Sequence, residues 1–194
     1  MKYVQDGVVI IFGFSGSGKS SLARALGAKY GLRVIHPSGI LRSLLEKKKV
    51  DVERSEYNSG FWESPEGVRL FKGRLKDELP MDVVSDKILL DELSRGGVVM
   101  DSWSMPWLSK RGVKIYLKTA LSRRIERVAM RSGISIKDAK RIIVMKDNET
   151  RTMFLRVYGF DIKKDLNVFD FILDTTHLNQ EEVMIRTSRF LDIR

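Results

Sequence analysis

The sequence predicts an α/β fold of three layers, α/β/α, around a central parallel five-stranded sheet. Two observations predict it. Five short apolar runs alternate with helical patterns, the order expected of parallel strands joined by crossover helices. The first run, Val8-Val9-Ile10-Ile11-Phe12, leads into Gly13-Phe14-Ser15-Gly16-Ser17-Gly18-Lys19-Ser20 and then Leu22-Ala23-Arg24-Ala25-Leu26, which reads as strand, glycine-rich turn and helix.

Val8 to Phe12 is the first strand. The first helix runs from about Lys19 to Tyr30, and Gly31 is its stop. Leu32-Arg33-Val34-Ile35 is a short second strand. Pro37-Ser38-Gly39 opens a helix over Ile40 to Lys48, with Ser38 as its cap. From Lys47 to Pro80 the chain turns polar and charged, with aromatics at Tyr57, Phe61, Trp62 and Phe71. This reads as helices and loop in an insert rather than as sheet. Met81 to Ser94 carries Val83, Val84, Ile88, Leu89, Leu90 and Leu93 at helical spacing, and Gly96-Gly97 ends it. Val98-Val99-Met100 is a buried strand ending at Asp101, and Val113 to Leu117 is the fourth strand. Ser122 to Arg131 is a helix stopped by Gly133, followed by a long polar helix from about Ser135 to Tyr158. Val168 to Leu173 is the last strand, and Gln180 to Leu191 the closing helix.

The glycine-rich turn fits G-x-x-x-x-G-K-[ST] at every fixed position. Its glycines allow a tight turn in which successive N–H groups face phosphate oxygens, and the following helix adds the positive end of its dipole. Gly13, Ser15, Gly16, Ser17, Gly18, Lys19, Ser20 and Ser21 are the candidate nucleotide contacts. Lys19 would reach the β- and γ-phosphates of ATP, and Ser20 would offer its hydroxyl to Mg2+. Asp101, at a strand end on the same edge of the sheet, would hold Mg2+ through water or accept from Ser20.

Composition bounds the rest. The 194 residues suit one domain with a sizeable core. There is no cysteine, which excludes disulfides and thiolate metal sites and agrees with a cytoplasmic protein. His36 and His177 are too few for a histidine-rich metal site. No apolar run spans a membrane, and Met1 to Asp6 reads straight into a strand, so no cleaved leader is expected. The net charge of +10 attracts phosphates, on nucleotides or on nucleic acid, and equally fits the lysine and glutamate enrichment of heat-adapted proteins.

Arg123, Arg127 and Arg131 share one helix face, with Arg124 beside it. The row reads either as a phosphate-facing set that neutralises charge during transfer or as a solvated basic face. Ser38 and Arg42, four apart at a helix start, suit an anionic acceptor. Trp103 and Trp107 read either as core or as pocket lining for a base.

With these residues assembled, the chain resembles the P-loop nucleoside monophosphate kinases, and most of all the archaeal-type cytidylate kinases. The likeness rests on the phosphate loop, Ser38-Gly39-Ile40-Leu41-Arg42, Arg131-Ser132-Gly133-Ile134-Ser135, Tyr158-Gly159-Phe160-Asp161 and Phe169-Asp170-Phe171-Ile172-Leu173-Asp174-Thr175. It implies a single P-loop domain over 1–194, with a helical acceptor-binding insert at about 38–80 and a lid at about 131–151. Mg-ATP would sit on the loop, and Ser38 and Arg42 would hold the acceptor with Asp101, Trp103 and Lys146. Arg131 and Arg151 would bridge donor and acceptor with Lys19.

The chain departs from the family pattern on the acceptor side. Asp101-Ser102-Trp103 carries no arginine after the third strand. Lys146, Thr150 and Met153 stand where the family has arginine, an acid and arginine. The implied reaction is transfer of the γ-phosphoryl of Mg-ATP to a nucleoside monophosphate, CMP or dCMP first, by a monomer or homodimer. The alternatives are a P-loop kinase of another acceptor, such as an RNA end, and a non-catalytic ATP-binding module.

Overall fold

β1 (Val8–Phe12), β2 (Arg33–Ile35), β3 (Val98–Asp101), β4 (Val113–Lys118) and β5 (Phe171–Asp174) form one parallel sheet in the order β2-β3-β1-β4-β5. The computed structural model describes residues 7–52, 60–73 and 80–193. Its helices are α1 (Lys19–Tyr30), α2 (Pro37–Leu45), α3 (Pro65–Gly73), α4 (Met81–Arg95), α5 (Met105–Leu108), α6 (Leu121–Ser132), α7 (Ile136–Tyr158) and α8 (Gln180–Ile193).

β1 is central and wholly buried, and the two-residue period of a strand sends its side chains to opposite layers. Val9 and Ile11 pack with Leu22 and Leu26 of α1 and Leu191 of α8. Val8 and Ile10 pack with Ile40 of α2 and Leu89 and Leu93 of α4. Phe12 ends the strand in an aromatic cluster, with the rings of Trp107 and Tyr116 at 5.0 Å and those of Phe14 and Phe169 at 5.5 Å. Helices on both faces give the three layers expected from the alternating pattern. Because β1 pairs with β3 on one side and β4 on the other, its carboxyl end is the switch point of the sheet, where such folds leave a crevice. The register sets Asp101 of β3 opposite Ile11, beside the start of the glycine turn.

The differences from the sequence reading are local. α2 starts at Pro37, with His36 at its N-cap and no side-chain cap bond, so Ser38 is a first-turn residue and not the cap. Proline at the first helical position, with φ already set for a helix, moves the start forward. The last strand begins at Phe171 rather than Val168, because Leu166–Val168 is a 3-10 turn. The short helix α5 carries no periodicity that a sequence could display. Its first turn is held by Ser102 Oγ, which accepts from Ser104 N and Met105 N. Tyr57 of the aromatic insert lies outside the described residues.

Phe12→Ala should lower the unfolding free energy by about 3–5 kcal/mol, because it removes a ring in contact with four others from a fully buried position. A denaturant titration checks this; the midpoint should fall with an unchanged slope.

Candidate active site

The loop after β1 is built for close approach. Gly16 has φ +83°, and a Cβ there would lie 2.7 Å from the carbonyl oxygen of Arg124. Gly18, at φ +97°, caps α1 and faces open space. The first turn of α1 carries no acidic residue, so the positive end of the helix is not neutralised by its own side chains. Ser17 Oγ is buried without a hydrogen-bond partner.

The loop opens into a cleft of about 730 Å³. Of the predicted nucleotide contacts, Ser15, Gly16, Ser17, Gly18, Lys19, Ser20 and Ser21 line it, and Gly13 does not. Gly13 backs the turn instead: a Cβ there would lie 2.4 Å from Ser17 Oγ and 2.8 Å from the carbonyl oxygen of Leu117. Ser38, Asp101, Trp103, Arg131 and Lys146 also line the cleft, whereas Arg42 and Arg151 do not.

Lys19 is buried, donates to the carbonyl oxygen of Phe14 at 3.3 Å and lies 5.6 Å from the centre of the Trp103 ring. Burial lowers its pKa to about 8; Asp101 opposes the shift, and the cations Lys146, Arg124 and Arg131 add to it. Ser20 Oγ donates to Asp101 Oδ2, and the other Asp101 oxygen meets His36 Nδ1 at 2.8 Å. The hydroxyl and carboxylate together are hard oxygen donors, which suits Mg2+. His36 joins the start of α2 to this pair. The sequence reading set it aside because two histidines make no metal site, and its position right after a strand was the available signal.

The arginine row divides. Arg123 pairs with Glu126 at the surface. Arg127 donates to the carbonyl oxygens of Gly16, Thr175 and Leu178. Arg124 is buried against Asp147 at 2.8 Å and reaches the carbonyl oxygen of Ser15 at 3.4 Å. Burial raises the Asp147 pKa despite that partner. Arg124 and Arg127 thus brace the glycine loop from behind.

Arg131 and Lys146 meet on one carboxylate. Glu63, from the insert, accepts from Arg131 Nη2 at 2.7 Å and from Lys146 Nζ at 2.9 Å. Burial pushes the Glu63 carboxyl up, but the two cations outweigh it and hold the group below the usual carboxylate range. Sequence reasoning missed Glu63 because its stretch stands out only for the aromatics Phe61 and Trp62; Ser64 Oγ accepts from Gly67 N at the head of α3.

Other expected contacts are engaged elsewhere. Arg42 pairs with Glu46 and stacks on Phe61, 3.7 Å from the ring centre. Arg151 makes a two-bond fork to Asp161. Trp107 is partly buried against the aromatic cluster: it stacks on Phe160 and donates to the carbonyl oxygen of Asp165. Met153 and Thr150 are buried on the inner face of α7, Met153 within the aromatic cluster, a position that excludes an unpaired arginine. α4 lines the cleft with Asp82, Ser85 and Asp86; Asp86 accepts from Ser104 Oγ at 2.7 Å and from Tyr158 at 2.5 Å.

The sequence model of the cytidylate kinase-like family matches residues 8–177. The chain is 31% identical over 186 residues to the cytidylate kinase of Ignicoccus hospitalis, covering 95% of this chain and 98% of that one. It is 30% identical to the cytidylate kinase of Methanopyrus kandleri, covering 90% of this chain and 88% of that one. Among solved structures, a shikimate kinase from Bacteroides thetaiotaomicron superposes with a TM-score of 0.59 at 14% identity, covering 95% of this chain and 98% of that one. An uncharacterized protein from Eubacterium ventriosum gives 0.60 at 14% identity, covering 98% of this chain and all of that one. At those identities the structural likeness speaks for the fold.

Lys19 is charged in both the folded and the unfolded chain below pH 8, and there its burial costs the fold on the order of 3 kcal/mol. Between pH 8 and 10.5 the unfolded chain binds the extra proton, so the cost fades as pH rises. Lys19→Met should therefore leave the ligand-free protein at least as stable as wild type at pH 7 while abolishing stabilisation by ATP. Thermal melts with and without nucleotide read both effects; a less stable variant that still gains from ATP contradicts this account.

Proposed function

The chain belongs to the cytidylate kinase-like family, and on that premise we propose that it moves the γ-phosphoryl group of Mg-ATP to CMP or dCMP. It is a nucleoside monophosphate kinase of P-loop α/β fold. The observation that carries the finer reading is the placement of charge. Lys19, Arg131 and Lys146 line one cleft with the glycine loop and with buried polar groups of α4.

In this reading the loop and the first turn of α1, from Ser15 to Ser21, bind the donor phosphates through backbone N–H groups. Lys19 binds the β- and γ-phosphates. Ser20 and Asp101 would hold Mg2+, which would supply positive charge against the phosphate oxygens. Ser38 and Trp103 line the acceptor side, and Arg42 joins them once released from Glu46. Arg131 and Lys146 draw on the transferring group. The residues around 38–80 act as the acceptor-binding insert and those around 131–151 as the lid.

Such a transfer needs little covalent chemistry from the protein; position and charge neutralisation carry it, so no general base is assigned. Arg151 is left to anchor the lid helix through Asp161. Trp62, Phe71 and Phe154 give the acceptor side apolar walls suited to a base.

ADP release from Mg-ATP should be fast with CMP or dCMP and slower with UMP, AMP and GMP. Lys19→Ala should lower the rate by several powers of ten, roughly the cost of removing a main charge contact from the transition state. Equal rates on all five acceptors would remove the cytidylate assignment, and near-normal turnover in the variant would remove the loop from the mechanism.

A further inference from the structure

The seat formed by Arg131 and Lys146 already holds an anion, and the chain supplies it. Glu63 ends the one-turn 3-10 helix Phe61–Glu63, which follows Gly60. A Cβ on Gly60 would lie 3.6 Å from Ser132 Oγ, so this turn is seated against the corner between α6 and α7. The Glu63 side chain is 3% exposed, and each of its oxygens takes one of the two cations. It stays ionised because those cations outweigh the effect of burial. Glu63 and Lys19 line the same cleft, and Lys19 feels the charges of both Arg131 and Lys146.

Two cationic donors converging on one small anion is the arrangement that recognises a phosphoryl group. A carboxylate supplies one negative charge there; a phosphoryl dianion supplies more charge and a third oxygen. The two cannot share the seat, since an arriving phosphate within a few ångströms of a buried carboxylate is strongly repelled.

We infer that Glu63 is an internal occupant of the phosphoryl seat, a stand-in that keeps Arg131 and Lys146 together and lowers the affinity for phosphate until a more highly charged ligand displaces it. The inference rests on reading this cleft as a phosphoryl-transfer site. It makes Glu63 an affinity-setting residue, and it opposes a role in which Glu63 orients the two cations during transfer.

The experiment is calorimetric titration of the full chain with inorganic phosphate and with pyrophosphate, at constant ionic strength. Glu63→Gln keeps the shape and removes the charge, and it should bind both anions about tenfold more tightly than wild type. Glu66→Gln, an exposed acid on the same insert, should bind them as wild type does. Adding Arg131→Ala to Glu63→Gln should erase the gain. Glu63→Ala, which also removes the charge, serves if the glutamine variant does not fold, with a gain in the same direction. Unchanged or weaker phosphate binding in a folded Glu63 variant overturns the inference, as does an equal gain in Glu66→Gln.

Turnover of Mg-ATP with CMP by the wild-type chain is a separate readout. Turnover together with unchanged phosphate affinity removes only the role of Glu63. Tighter phosphate binding without turnover keeps the internal occupant and removes the kinase reading.

Discussion

The structure depends on holding several cations charged in one largely buried cleft. Lys146, Arg124 and Arg131 all act on Lys19 beside the glycine loop, each lowering its pKa. Two like charges 4 Å apart repel by about 4 kcal/mol at an effective dielectric of 20, a sizeable share of a domain's stability. The fold answers with buried acids, one for each task. Asp147 takes Arg124, Glu63 takes Arg131 and Lys146, and Asp101 lies near Lys19 while accepting from Ser20. Lys19 keeps an uncompensated cost: burial first, and then the neighbouring cations, lower its pKa to about 8. A polyphosphate repays it, so affinity for the ligand and strain in the empty cleft have one origin.

That electrostatic arrangement requires a rigid floor. β1 provides it as a fully buried central strand, and the loop that follows is braced by Arg124 and Arg127 through the carbonyl oxygens of Ser15 and Gly16. These bonds tie the carbonyl oxygens of the loop to α6. The α6 arginines thus do two jobs that periodicity could not separate: Arg124 and Arg127 hold the backbone, and Arg123, Arg127 and Arg131 line the cleft.

How far the sequence could be read follows from the range of each interaction. The strands, the loop and α1 are governed by local pattern and turn chemistry, and β1 and α1 stand where hydrophobic runs and the stops at Gly18 and Gly31 put them. The lining of the cleft by Ser38 and Asp101 was legible through the rule that strand ends gather at one edge of a parallel sheet, whereas Trp103 read equally as core. What was not legible depends on distant partners. Glu63 meets cations 68 and 83 residues away. His36 meets Asp101 across 65 residues. Arg151, named from family likeness, is drawn to Asp161 by a short-range fork. Met153 shows the same limit from the other side: its helix face turns inward to an aromatic cluster, where a cation would be stranded.

The central claim is that this cleft carries a phosphoryl group from one nucleotide to another. The most direct measurement follows the group itself: incubate the full chain with CMP and Mg-ATP labelled at the γ-phosphorus, then separate the products. The account predicts that the label appears in CDP, in step with the loss of labelled ATP. Label recovered only as inorganic phosphate, or retained in ATP that binds without turnover, would contradict it.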